Sequence, residues 1–239
     1  MDNVKSGLSN DRVRAALRRT AFEALYGRFA WAYDWVSGVF FLGQWRRWQR
    51  AAMRFLEGRR VLEVGMGTGS LHLDLLRSGY QAWGVDLSPQ MLRQASRKAR
   101  RYGLQPFKMC RARAQALPFP AGCFDSVVST FPSEYIAEPE TLREVARVLR
   151  PGGRLVVVLA GWLRPVGAGG RAAEGVSRLV YGDRTQSGGG GEDPDRHLQA
   201  SSWGATLKGR MASAGFKVSM HVASNDKGAA LVVVGVLPP

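Results

Sequence analysis

The chain has 239 residues, of which 45% are hydrophobic and 22% charged, a composition typical of a folded globular protein and unlike that of a disordered chain. Its formal net charge of +15 indicates either an arginine-rich soluble protein or one that contacts phosphates on nucleic acid or on an anionic membrane. Because the sequence lacks a long apolar span and an apolar signal core, we expect a cytoplasmic protein, with peripheral membrane contact as the alternative.

The N-terminal residues predict a helical cap over a separate core. An amphipathic pattern at 10–28 predicts a helix, and aromatic residues are dense at 29–56, where a second helix is predicted at 44–56. These rings can pack a helical layer onto a sheet, cover a cofactor and an apolar substrate, or lie at a membrane interface. The predicted division is therefore a cap at 1–56 and a core at 57–239.

The stretch at 61–69, VLEVGMGTG, is the centre of the pattern. An apolar run meets glycines at alternate positions and a helix-like stretch follows, which predicts a buried strand, a tight turn and a helix N-terminus that attracts anions. A second predicted strand at 81–86 ends in Asp86, which is suited to bind a ribose diol. The turn is GxGxG, whereas dinucleotide sites favour GxGxxG, so an NAD-dependent oxidoreductase is the weakest of the functions considered.

Strand and helix patterns alternate beyond this turn. Further strands are predicted at 107–111, 124–130 and 154–160, and helices at 70–78, 88–103 and 139–149. Ser88 is a suitable N-cap before Pro89, and Pro151-Gly152-Gly153 predicts a turn before the fifth strand. The alternation predicts a Rossmann-like α/β fold with a mostly parallel sheet and helices on both faces. Cys110 and Cys123 are not spaced as a CxxC pair, so neither a disulfide framework nor a metal site is predicted.

Four segments resemble the class I S-adenosylmethionine (SAM)-dependent methyltransferases, and within them the UbiE-like group of ubiquinone/menaquinone C-methyltransferases and their small-molecule relatives (methyltransferase type 11). These segments are VLEVGMGTG, GVDLSPQML, RARAQALPFPAGCFDSVVSTF and LREVARVLRPGGRLVVV. The resemblance implies that the cofactor is S-adenosyl-L-methionine, with S-adenosyl-L-homocysteine (SAH) as product. It implies little about the acceptor.

The resemblance also implies a set of cofactor-binding positions. They are Tyr33, Glu63, Gly65, Gly67, Gly69, Asp86, Leu87, Met91, Ala114, Gln115, Thr130 and Phe131. The glutamate and the glycines would line the methionine side, and Tyr33 would close over it. Asp86 would hold the ribose, whereas Leu87 and Met91 would border the adenine. Thr130 and Phe131 would lie beside the sulfonium, although Met91 and Phe131 can equally be core residues.

One position departs from the family pattern. Arg113 stands where the family usually has Asp or Asn before Ala114. A guanidinium is only a donor and cannot accept a hydrogen bond from the adenine amino group. The backbone N–H of Ala114 can still reach the ring, and Gln115 is a candidate to replace the lost acceptor.

Methyl transfer is an in-line displacement that depends mainly on positioning, and a base is needed only when the nucleophile carries a tightly held proton. The candidate catalytic residues are Glu134 and Tyr135, just after the fourth strand, and Tyr33; Asp34 and His72 are weaker.

The pattern weakens after the fifth strand. The glycine-rich segment at 161–200 is predicted to be an insertion or lid over the substrate. A helix at 201–214 and strands at 216–223 and 229–237, separated by a turn at 224–228, then complete a seven-stranded sheet whose last strand is antiparallel, as the resemblance implies.

The predicted function is methyl transfer from SAM to a small, hydrophobic or lipid-like acceptor. An RNA-directed methyltransferase is the first alternative because of the net charge, although STFPSEY after the fourth strand lacks the motifs of nucleic-acid methylating enzymes and no appended RNA-binding module is evident. A non-catalytic SAM-binding or partner-binding protein is the second, suggested only by Arg113.

Overall fold

The computed structural model of the protein describes residues 43–104, 107–163, 202–226 and 228–239. The predicted helix at 10–28, Tyr33 and most of the segment at 161–200 lie outside the described residues. The predicted cap at 1–56 is described only from residue 43, so its boundary with the core stays a prediction.

A seven-stranded sheet is the centre of the fold. Its strands are β1 (Arg60–Val64), β2 (Gln81–Asp86), β3 (Lys108–Arg111), β4 (Phe124–Thr130), β5 (Leu149–Leu163), β6 (Lys217–Asn225) and β7 (Gly228–Val236). They lie in the order β3-β2-β1-β4-β5-β7-β6, and β1 to β5 pair in parallel. β7 is antiparallel to both β5 and β6. The predicted Rossmann-like sheet with an antiparallel last strand is confirmed.

Helices cover both faces of this sheet. They are α1 (Gln44–Ala51), α2 (Ser70–Arg77), α3 (Pro89–Arg101), α4 (Pro139–Val148) and α5 (Ser202–Ser213), with 3-10 turns at Ala52–Phe55 and Glu134–Ala137. Successive strand residues point to opposite faces, so Val61 packs in the cluster containing α1 and α2 residues while Leu62 packs with α4 and α5. In the described part of the chain, no helix combines the length and apolarity needed to cross a membrane.

Helix α3 shows why the predicted βα units form. The Ser88 hydroxyl accepts a hydrogen bond from the Met91 N–H at 3.3 Å, and Pro89 occupies the first helical position. Met91, Ala95 and Ala99 recur at helical spacing and are buried. The cap and the apolar stripe together place the start of α3 immediately after Asp86, at the end of β2.

Helix α1 is fixed to α2 by two arginines that share one carboxylate. Arg46 binds Asp74 through Nε at 3.0 Å and Nη2 at 2.6 Å, and Arg50 binds it at 2.7 and 2.8 Å. Burial raises the pKa of Asp74, but the hydrogen bonds from Arg50 and Arg46 outweigh this and leave the pKa below its ordinary value. On the sheet side of α1, the Trp48 ring lies directly against Gly161.

The strands β2 and β4 have their predicted bounds, and most other elements differ from the prediction by one or two residues at an end. Three differences have a clear structural cause. β5 begins at Leu149 because this residue already pairs with Phe124, and the glycines after it form an irregularity inside the strand. The predicted helix at 44–56 tightens into a 3-10 turn at Ala52. The final hairpin turn is shorter than predicted, because Asn225 still pairs with Gly228.

Candidate functional site

The carboxyl ends of β1, β2 and β4 meet at one edge of the sheet. β2 lies on one side of β1 and β4 on the other, so the chain connections change direction at β1. Open α/β sheets form their ligand crevice at such a switch point. The fold therefore brings the site residues predicted on these three strand ends to one crevice.

The glycine turn has the backbone that its sequence predicts. Gly65, Gly67 and Gly69 have φ values of 70°, 53° and 73°, which glycine adopts without steric strain. Gly69 directly precedes α2, so the first N–H groups of that helix, which have no acceptor within it, lie at the turn. This turn can therefore accommodate an anionic group such as a carboxylate.

Asp86 links the tip of β2 to the glycine turn. Its Oδ2 accepts a hydrogen bond from the Gly67 N–H at 2.8 Å, and its Oδ1 accepts one from the Ser88 N–H at 2.8 Å. Burial raises the pKa of Asp86, and these two backbone hydrogen bonds offset only part of the rise. Each carboxylate oxygen can accept a second hydrogen bond, so Asp86 keeps the capacity to bind hydroxyl groups.

Glu63 lies beneath the turn, and its residue is only 1% exposed. Its Oε2 is 3.4 Å from Nδ1 of His72, which is fully buried in the first turn of α2. Burial raises the pKa of Glu63, and the neighbouring imidazole lowers it by less. Glu63 is thus placed to support the predicted methionine side of the site from below.

The residues predicted to border the adenine lie beside Asp86. Leu87 is 59% exposed, whereas Met91 is buried in the core at 3%. The Leu87 carbonyl accepts a hydrogen bond from Arg111 Nε at 3.0 Å, which fixes the loop after β2. The Leu87 side chain is therefore accessible to a ligand in this structure. The predicted contact of the buried Met91 with adenine stays a prediction.

The loop after β3 holds the position that departs from the family pattern. Arg113 is exposed and its backbone bridges to Ala116, while Ala114 is buried at 9%. Gln115, the candidate replacement acceptor, donates from Nε2 to Glu138 Oε2 at 2.5 Å. This bond uses the amide nitrogen and leaves the Gln115 oxygen as the group with acceptor capacity.

The end of β4 carries an aromatic wall, which we define as Trp45, Trp48 and Phe131. Phe131 has φ of 50°, a left-handed conformation that is rare for a bulky residue, and its ring stacks on Trp45 with centroids 4.0 Å apart. Next to the wall, Gln49 Nε2 donates to Thr130 Oγ1 at 3.2 Å. Backbone strain of this kind clusters at functional sites, and here it turns Phe131 towards α1.

Tyr135 returns from the 3-10 turn after β4 to the end of β1. Its hydroxyl lies 3.2 Å from Ser129 Oγ and 3.4 Å from the Val64 carbonyl oxygen, while Ser129 Oγ donates to that carbonyl at 2.8 Å. A Cβ on Gly65 would come within 2.3 Å of the hydroxyl. Tyr135 is thus in the crevice, whereas Glu134 beside it is exposed.

Trp45, Gln49 and Ser129 lie at the crevice but are not among the predicted site residues. Ser129 carried a signal, because a hydroxyl in a buried strand needs a hydrogen-bond partner. Gln49 carried none, since a glutamine on an amphipathic helix usually faces solvent. Across the described residues, no three His, Cys, Asp or Glu side chains converge in a way that could hold a metal ion.

Comparisons with known proteins agree with this arrangement. Residues 62–157 match the family model described as a methyltransferase domain. The demethylmenaquinone methyltransferase of Tropheryma whipplei (strain Twist) is 36% identical over 137 residues, which are 56% of this chain and 56% of that protein. The phosphatidylethanolamine N-methyltransferase of Cereibacter sphaeroides is 41% identical over 131 residues, or 54% of this chain and 63% of that protein. The chain thus spans less than two thirds of the length of either relative.

The fold is also similar to that of solved structures. A SAM-dependent methyltransferase from Thermotoga maritima superposes with a TM-score of 0.57 over 90% of this chain and 99% of that chain, at 20% identity. At this identity the likeness concerns the fold. The resemblance stated from the sequence is confirmed by the family match and the curated relatives together.

Proposed function

We propose that this protein transfers a methyl group from SAM to a small lipid-like acceptor, because residues 62–157 match the methyltransferase domain model. The observation that carries the proposal is the hydrogen bond between the Gly67 N–H and Asp86. It joins Asp86, the predicted ribose-binding acid, to the turn that attracts anions. One crevice therefore offers a carboxylate that can bind hydroxyl groups and N–H donors that can bind a carboxylate. SAM has ribose hydroxyl groups and a methionine carboxylate.

The residues of the crevice have distinct roles in this proposal. The turn and the N-terminus of α2 would hold the methionine end, Asp86 the ribose and Leu87 the adenine. When bound, SAM supplies an electrophilic methyl group on its sulfonium. The strand end at Thr130 and the aromatic wall would orient the acceptor towards that methyl group, and orientation of this kind supplies much of the rate of a displacement.

The need for a base depends on the acceptor. Tyr135 is the better placed of the predicted catalytic candidates, because its hydroxyl lies at the end of β1 and contacts Ser129. Glu134 is exposed beside it and Tyr33 lies outside the described residues. We therefore propose that Tyr135 would accept the proton of an acceptor hydroxyl group. An acceptor whose nucleophilic atom carries no tightly held proton would need only positioning.

The aromatic wall favours an acceptor with a planar or apolar body. Trp45 and Phe131 form a stacked pair, in which Trp45 is buried and Phe131 is partly exposed. The accessible part of the Phe131 ring can bind another flat ring through offset stacking. One relative is named for demethylmenaquinone and another for phosphatidylethanolamine, both lipid-like molecules. We propose a quinone-like ring as the acceptor, with the amine of a phospholipid as the second candidate.

Isothermal titration with SAM and with SAH tests the cofactor half of the proposal. Replacing Asp86→Ala should weaken binding of both by at least about tenfold, because charge-assisted hydrogen bonds to the ribose are lost. The matched control is Asp226→Ala, which removes a carboxylate that is 71% exposed in the turn between β6 and β7. If the folded protein binds neither compound, the proposal is wrong.

Transfer of a radiolabelled methyl group tests the acceptor half. The protein is incubated with a demethylated quinone or with phosphatidylethanolamine, each in detergent micelles. We expect a methylated product from the quinone and none from the phospholipid. If only phosphatidylethanolamine is methylated, the phospholipid amine and not the quinone ring is the acceptor. Tight, salt-sensitive RNA binding with methylation of RNA would instead favour the RNA-directed alternative.

Peripheral membrane contact is part of the same proposal and has its own test. The net charge of +15 should make the protein sediment with anionic vesicles at low salt and not with neutral ones. Raising the salt should release it, since a Debye length of about 8 Å at physiological ionic strength screens exposed charges. Deleting residues 1–28 should weaken the sedimentation.

A further inference from the structure

Glu63 and His72 form a buried polar pair beneath the glycine turn, and the proposed methyl transfer gives no role to His72. The carboxylate Oε2 and the imidazole Nδ1 are 3.4 Å apart, and the two side chains are 2% and 0% exposed. Apart from this contact with each other, Glu63 Oε2 and the two ring nitrogens of His72 have no hydrogen-bond partner among the described residues. Buried polar atoms of this kind are rare in folded proteins and each requires an explanation.

The surroundings of the pair are apolar but for a few charges. The Phe107 ring meets the His72 ring edge-on at 4.6 Å between centroids, and a Cβ on Gly84 would touch both Met66 and His72. The charged groups around the pair and the turn above it are Asp74 of α2, Asp86 of β2, Arg46 and Arg50 of α1, and Lys98 of α3. The two arginines bind Asp74, and Lys98 donates to the Thr68 and Ser70 hydroxyls of the turn.

The proton content of the pair follows from its position. With no proton, an unpaired carboxylate would lie buried beneath the turn, close to the carboxylates of Asp74 and Asp86. With two protons, an imidazolium facing a neutral acid would lie in the first turn of α2, where the helix dipole disfavours a cation. One proton shared between Glu63 and His72 avoids both arrangements.

We propose that Glu63 and His72 share one proton beneath the glycine turn, and that His72 is a positioning residue that sets the charge presented to the bound cofactor. This inference rests on the proposed function, since it needs SAM at the turn. A nearby cation favours the anionic form of a carboxyl group. The methionine end of SAM and of SAH carries the same ammonium group, and only SAM adds a sulfonium. Its additional positive charge should drive the shared proton into solvent, leaving the Glu63 anion and a neutral His72, more completely than SAH does.

The pair thus helps the site to distinguish the methyl donor from its product. Binding of SAM should release a proton and strengthen as the pH rises through the range in which the pair loses it, while binding of SAH should change less. Titration calorimetry in two buffers of different ionisation enthalpy, between about pH 6 and about pH 8.5, counts the protons released. The wild-type protein should release more protons with SAM than with SAH.

Two variants separate the members of the pair. Glu63→Gln should abolish the proton release and lower the ratio of SAM to SAH affinity by roughly tenfold, as expected for one carboxylate acting on a nearby cation. His72→Leu should move the release to higher pH, because the imidazole no longer offsets the burial of Glu63. The control Leu75→Ala loosens the same helix at an equally buried position and should leave the pH profile unchanged.

A measurement without cofactor tests the pair directly. In protein labelled with 15N at histidine, the Nδ1 signal of His72 should lie between those of a protonated and an unprotonated ring nitrogen and should move when Glu63→Gln removes the shared proton. The signals of the less buried His221, which contacts Ser219 at 2.8 Å, should stay unchanged in that variant. A His72 Nδ1 signal that Glu63→Gln leaves unchanged, or equal proton release with SAM and SAH, would overturn the proposal. If neither compound binds, the proposed function fails, and the ring signals still decide whether the pair shares a proton.

Discussion

The contact between Gly65 and Tyr135 predicts a coupling that a double-mutant cycle can measure. Alanine at Gly65 would place its Cβ 2.3 Å from the Tyr135 hydroxyl oxygen, with the next ring atom at 3.4 Å. Alanine at Gly67 would also need a positive φ but would meet nothing within 4 Å. Gly67→Ala therefore reports the backbone strain alone, and Gly65→Ala reports the strain together with the steric overlap.

The expected magnitudes follow from these distances. The left-handed backbone should cost about 1 kcal/mol in either alanine variant, and the overlap at Gly65 should add about 2 kcal/mol. Tyr135→Phe should cost about 1 kcal/mol for its lost hydrogen bonds, and it removes the atom that the new Cβ would meet. The double variant should then lose about 2 kcal/mol instead of the roughly 4 kcal/mol that independent effects would give.

Urea unfolding followed by tryptophan fluorescence measures the four free energies of unfolding under one set of conditions. Titration with SAH should follow the same order, because the glycine turn is the proposed cofactor site. An additive double variant would show that Tyr135 does not press on Gly65. Equal losses for Gly65→Ala and Gly67→Ala would lead to the same conclusion.

Further predictions concern α1 and the adenine side. Asp74→Ala should lower the free energy of unfolding by about 3 kcal/mol in the same urea assay. This is at the lower end for a buried ion pair, because both arginines are half exposed. The control Asp226→Ala should change the free energy of unfolding by less than about 0.5 kcal/mol. The pKa of Asp74 is lowered in the folded state, so its contribution to the free energy of unfolding is complete above the ordinary value of 3.8 and is lost as the pH falls through the folded-state pKa. The difference in stability between wild type and Asp74→Ala should therefore shrink in that acidic range. A difference that stays constant with pH would contradict the assignment. Arg113→Asn supplies an acceptor for the adenine amino group and should tighten SAH binding by about threefold to tenfold in calorimetry, while unchanged or weaker binding would show that the adenine does not reach this position.

The core of the fold was predictable because its signals are local. Ser88 and Pro89 mark the start of α3. The packing of Val61 and Leu62 on opposite faces of the sheet follows from the two-residue period of a strand. The βα alternation places the glycine turn and Asp86 at the same carboxyl edge of the sheet, where Gly67 donates a hydrogen bond to Asp86. Whether these residues bind SAM stays a prediction.

Other features depend on tertiary contacts that no local pattern encodes. Arg46 and Arg50 look like solvated charges on an amphipathic helix, and only the approach of α2 shows that both bind Asp74. The pairing of Glu63 with His72 likewise requires α2 to fold back over β1. The early start of β5 depends on the pairing of Leu149 with Phe124, which overrides the turn propensity of the glycines.

The position of β7 constrains how a ribosome can produce this fold. β7 lies between β5 and β6, and all its residues but the last are buried, so neither neighbour has its full set of hydrogen bonds before Gly228–Val236 is synthesised. A nascent chain that has extended only to β6 therefore carries an open edge on β5 and an unpaired β6. Open strand edges are templates for pairing with other chains. Slow translation or premature termination after β6 should thus give aggregation rather than a soluble partial fold.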